Sequence, residues 1–103
     1  MAKPDIEGIR EAIRLGKYIV RRHARRRMEE RQVRHDTALE VILEGKVIEE
    51  YPSAEPFPKC LVMKHIEGEP LYVSCGFNGE TAYIITVHWY DPEKWIDPWT
   101  RRE

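Results

Sequence analysis

The spacing of apolar residues changes near the middle of the chain. Over residues 4–16, Ile6, Ile9 and Ile13 recur at intervals of three and four, with Pro4 near the start and Gly16 just past the end, which predicts a short amphipathic helix. Tyr18, Ile19 and Val20 follow as a short β-favouring step. Residues 23–31 read H-A-R-R-R-M-E-E-R, a run of strong helix formers that residues 32–35 break. A third helix is expected from about residue 36 to residue 44: Thr37 and Glu40 fit a capping box, Leu39, Ile42 and Leu43 form the inner face, and Gly45 stops it.

Beyond Gly45 the period falls toward two. Residues 47–51, 60–66, 71–77 and 82–89 are rich in β-branched and aromatic side chains and predict four strands. Glu67-Gly68-Glu69 and Asn78-Gly79-Glu80 have turn chemistry, so the last three strands should form an antiparallel meander. Residues 52–58 hold three prolines and read as a stiff extended link. The tail from Asp91 onward carries Trp95 and Trp99, at least one of which should pack back on the domain. The pattern predicts an α+β domain, with helices first and a small antiparallel sheet after them.

At 103 residues, 42% of them apolar, the chain suits one domain with one core, 1–103, and its 34% of charged residues must cover the surface. No apolar run approaches 18 residues, and residues 1–5 lack the basic-then-apolar order of a secretory signal, so a cytoplasmic protein without membrane attachment is expected. The net charge of -1 hides a strong asymmetry: residues 17–35 carry +6 and residues 36–103 carry -7. Because salt screens fields beyond roughly 10 Å at 0.1 M, such a patch attracts phosphate locally even on a neutral molecule. Cys60 and Cys75 lack zinc-ligand spacing and lie in apolar runs, where buried reduced thiols are expected. No metal or cofactor is called for.

A helix turns about 100° per residue. With Ala24 at zero, Met28 falls at roughly +40°, Arg31 at roughly -20°, Arg27 at roughly -60° and His23 at roughly -100°, forming one stripe along the edge of the apolar face. Arg22, Arg25 and Arg26 point away from it, and with Arg34 they offer nonspecific electrostatic contacts, as to RNA, or simply solubility. An arginine turned toward a core needs a partner. In a structural reading Arg31 pairs with Glu40 or Glu44 and Arg27 lies beside the sheet. In a functional one both line a cleft and bind phosphate, with His23 beside them to give or take a proton. His88 and Tyr90, at the end of the last strand in T-V-H-W-Y-D, share one face if that strand stays extended. No phosphate-binding glycine loop, no G-x-S-x-G and no paired-carboxylate motif is present, which weighs against nucleotide and serine hydrolases.

The segment Y-I-V-R-R-H-A-R-R-R-M-E-E-R-Q-V, the later E-G-K-V-I-E-E-Y and L-Y-V-S-C, and A-Y-I-I-T-V-H-W-Y-D-P-E-K-W together resemble, over about residues 18–95, a small bacterial domain family of unknown function with the signature H-A-x-x-R-M-x-x-R-x-[IV]. That family is similar to the RelE/ParE-type toxins and is often encoded beside a YgiT/MqsA-type zinc-finger antitoxin. The resemblance implies a RelE-like fold, two to three helices on a curved four-stranded antiparallel sheet. It also implies metal-independent cleavage of mRNA, on the ribosome or free of it. Carried onto this chain, His23 is acid or base, Arg27 and Arg31 stabilise the transition state, and His88 or Tyr90 completes the site. A noncatalytic nucleic-acid or protein-binding module using the basic helix 21–34 is the alternative, and an interaction unit presenting its Pro/Trp segments is a third.

Overall fold

The first helix, α1 (Ile6–Arg14), opens where the Asp5 side chain accepts the Gly8 N–H at 2.8 Å, satisfying a backbone donor that the helix itself leaves free. The computed structural model describes residues 5–102, so the start signal expected at Pro4 lies outside the described residues. The chain then forms β1 (Tyr18–Val20), α2 (Arg22–Glu30) and α3 (His35–Glu44). Four longer strands follow: β2 (Lys46–Tyr51), β3 (Lys59–Ile66), β4 (Glu69–Phe77) and β5 (Ala82–Trp89). A two-stranded ribbon of β6 (Trp95–Asp97) and β7 (Thr100–Arg101) ends it.

The α+β class and the antiparallel meander match the expectation, and the strand count does not. The sheet has five strands in the order β1-β5-β4-β3-β2 and is mixed, because β1 pairs parallel with the start of β5, Tyr18 opposite Ala82 and Val20 opposite Ile84. Three β-branched and aromatic residues cannot hold a strand alone; the partner strand makes them one. The capping box at Thr37 is also absent. Helix α3 begins two residues before Thr37, with Arg34 as its N-cap and no side-chain cap bond. Gly45 ends that helix through close approach, since a Cβ there would fall 2.7 Å from the Met63 carbonyl oxygen. Between β3 and β4, Glu67 and Gly68 both have positive φ (52° and 86°), the backbone of a two-residue hairpin whose twist matches the strands.

All three helices cover one face of the sheet. Ile9, Ala24, Met28, Val41 and Ile42 meet Val62, Leu71, Val73, Ile84 and Val87 there in one continuous core. Full burial of an aliphatic side chain of this size contributes about 1.5–3 kcal/mol. The opposite face is covered by the tail, where Trp95 is fully buried against Tyr72, Leu61 and Met63. Trp99 stays 51% exposed, so one of the two tail tryptophans packs back, as its composition suggested. Cys60 and Cys75 are buried, free of any disulfide and opposite one another, with their thiols hydrogen-bonded at 3.7 Å. Among the described residues no helix is long and apolar enough to cross a membrane.

Candidate functional site

The strand that carries His88 is not regular. Ser74 pairs with Thr86 and Cys75 with Ile84, so Ile85 is bulged out of the ladder. A bulge reverses the alternation of side chains, because it inserts one residue into a pattern of period two. Ile84 before it and Val87 after it both face the helices, while His88 emerges on the tail side, opposite Tyr72 and stacked on it with ring centroids 5.0 Å apart. Without the bulge His88 would have pointed into the helix-side core.

Strand β1 is too short to cover all of β5: its pairing stops at Ile84, where the chain turns away into α2. From Thr86 onward the outer edge of β5 therefore borders α2 and the tail, and a concavity of about 560 Å³ opens between them. His23, Arg27 and Arg31 line one wall, and His88 and Tyr90 line its other side. All five residues singled out by spacing converge on this concavity. The helical stripe follows the expected rotation: Ala24 and Met28 are buried, Arg27 and Arg31 half-buried, His23 exposed at the rim, and Arg22, Arg25 and Arg26 exposed. Arg34 is exposed as well but stands apart, at the start of α3.

The arginines differ in their partners. Arg27 is paired with Glu30 one turn on, at 3.0 Å, with its side chain 40% exposed. Arg31 makes neither of the pairs expected in the structural reading, because Lys64 takes both carboxylates, reaching Glu44 at 2.9 Å and bonding Glu40 as well. Its Nη1 is buried and meets no acceptor among the described residues, while its carbonyl accepts the Trp89 indole N–H at 3.3 Å. A desolvated guanidinium N–H without a partner favours an incoming anion, since its desolvation cost is already met in the free protein.

Burial holds the His88 imidazole below its ordinary value, and the cations Arg101, Arg31 and Lys94 push in the same direction against an opposing bond to the Trp89 carbonyl. In that bond His88 Nδ1 donates at 3.4 Å, which leaves Nε2 as the unprotonated nitrogen. The ring is thus a neutral proton acceptor near pH 7. Tyr90 donates its hydroxyl to the Trp95 carbonyl at 3.4 Å and so braces the tail wall.

Two cations in the wall were not foreseen. Arg101 and Lys94 come from the tail. In the ribbon Arg101 pairs with Trp95, lies over its ring at 4.5 Å and grips Glu49 bidentately at 2.9 and 3.0 Å. That grip holds the Glu49 carboxyl below the usual carboxylate range. The sequence held a weak signal, a W-x-x-x-x-x-R spacing that a tight turn closes. Asp91 is the one acidic residue in the lining, so the concavity is cationic overall.

Residues 20–89 match the family model described as Domain of unknown function (DUF4258). The chain belongs to this family. Neither the curated proteins nor the solved structures yielded a match. The DUF4258 segment includes the helical stripe, the bulge and His88, and it ends at Trp89, so Tyr90, Lys94 and Arg101 complete the wall from beyond it.

Proposed function

We propose that this protein is a metal-independent endoribonuclease of the RelE-like kind, the toxin component of a pair whose zinc-finger antitoxin silences it. The observation that carries the reading is the shared concavity: two imidazoles and three guanidinium groups, from α2, the end of β5 and the tail, face one space the size of a nucleotide or two. His88 Nε2 takes the proton from a ribose 2′-hydroxyl, and that oxygen attacks the adjacent phosphorus. Arg31 and Arg27 hold the charge that builds on the phosphorane. His23, at the rim, protonates the departing 5′-oxygen as the P–O5′ bond breaks. The products are a 2′,3′-cyclic phosphate and a 5′-hydroxyl, and neither step requires a metal.

The test is incubation of RNA with the purified protein in EDTA, with and without ribosomes, followed by mapping of the ends. Cyclic phosphate ends that vanish when the cleaved nucleotide is 2′-deoxy support the reading. Intact RNA in both conditions, together with unimpaired growth when the protein is induced without its neighbouring gene, overturns it. One observation favours a second reading, a noncatalytic binding module: Arg22, Arg25 and Arg26 are exposed and in no ion pair among the described residues. That reading requires salt-sensitive binding that does not depend on His23 or His88.

A further inference from the structure

A second groove, of about 440 Å³, lies beside the first, and Trp89 lines both. Its other walls are chemically unlike the cationic concavity: Gln32 and Thr37 are neutral hydrogen-bonding side chains, and Arg34 and His65 share the lining with two carboxylates, Glu40 and Glu67. Donors and acceptors around an aromatic ring suit an unstacked nucleobase, which presents a flat face and a polar edge. The indole is held in place by the bond from its N–H to the Arg31 carbonyl.

Gln32 adds a second, independent sign. Helix α2 closes with Gln32 N–H on the Glu29 carbonyl (3.3 Å) and Val33 N–H on that of Met28 (2.8 Å), which places Gln32 in the left-handed position, φ 54°. Glycine fills that position without strain, and glutamine does not. Gln32 and the hairpin residue Glu67 both hold left-handed backbone and both line this groove, which puts two polar side chains at positions that glycine would fill without strain.

We infer that this groove binds the nucleobase next to the scissile phosphate, stacked on Trp89 and read at its edge by Gln32 and Arg34, so that it sets which RNA sequences are cut. The inference rests on the nuclease reading for the strand that enters, and deepens it. Its test uses oligonucleotides with a single cleavable ribonucleotide in a 2′-deoxy background, with the base on either side varied. The full chain should show a spread in kcat/KM of about tenfold among the four bases at one flanking position. Gln32→Gly should shrink that spread to below about threefold while raising Tm by a few degrees, and Arg34→Ala should shrink it without the gain in Tm. A residue that only ends a helix would change Tm and leave the spread alone, and that result overturns the inference.

Anisotropy of uncleavable 2′-O-methyl oligonucleotides of the same sequences separates the two proposals. A base preference in binding that Gln32→Gly abolishes, with no cleavage of any RNA, retains the groove and removes the nuclease. Cleavage without base preference in either measurement removes the groove and retains the nuclease.

Discussion

On the helix-covered face of the sheet, Val62, Leu71, Val73 and Val87 belong to one continuous apolar core, whereas on the tail-covered face Tyr72 is stacked between Trp95 and the His88 ring, and Trp95 carries a guanidinium. The first face is built from shape and the removal of apolar area from water. The second is built from aromatic planes with charges on them, sealed at Tyr72 and Trp95 and open to solvent at the rim where His88 and Arg101 lie. Their difference teaches where chemistry can live in so small a domain. An imidazole among aliphatic side chains would be an unsatisfied buried group, but between a phenol ring and a wet cationic wall it is a base held neutral. The Ile85 bulge decides which of these surroundings His88 receives.

Mutations can break this contrast face by face. The largest effect should come from His88→Ala, with cleavage falling by about 10²–10⁴-fold and little change in unfolding temperature; His23→Ala should behave alike, and end mapping of cleaved RNA checks both. Leu71→Ala on the other face should do the reverse, lowering stability by about 2–5 kcal/mol in denaturant unfolding while the remaining folded protein keeps its specific activity.

A smaller effect is one of pH. The native His88 value lies below the 6.5 of an unperturbed histidine, so between the two the unfolded chain binds a proton that the folded one resists. Stability should therefore decline as pH falls from about 6.5 toward the native value. His88→Gln should flatten that acid limb in thermal melts at pH 7, 6 and 5; an unaltered limb would place the titration elsewhere. Smallest of all, Arg22→Ala, Arg25→Ala and Arg26→Ala should each change stability by under about 0.5 kcal/mol and lower the salt slope of RNA binding by about one.

The helical stripe was legible because a period of 3.6 is a local property, and Ala24 and Met28 sufficed to orient His23, Arg27 and Arg31. The four long strands were legible for the same reason. What failed was nonlocal. Strand β1 exists because Ala82 to Ile84 lies beside it, sixty-odd residues away in the chain, and no pattern within Tyr18–Val20 announces a parallel partner. The capping box failed because Thr37-x-x-Glu40 also fits the interior of a helix that starts earlier. His88 and Tyr90 do share the tail side, as a period of two predicts, but on which side of the sheet that would be depended on the bulge, which Ser74 and Thr86 reveal only once paired. Arg101 was out of reach because the ribbon that returns it to Trp95 is two and three residues long.

The boundary at Trp89 bears on how such domains diversify. One wall of the cationic concavity and His88 in the other lie within the family segment, and Tyr90, Lys94 and Arg101 lie beyond it. A different ribbon would reshape that side of the concavity, in the way a lathe accepts a new tool in an unchanged chuck, provided that it still covers Tyr72, Leu61 and Met63 as Trp95 does. Selection for a different ligand would then act first on exposed tail positions such as Lys94, where a substitution meets little packing, and not on Trp95, which is fully buried.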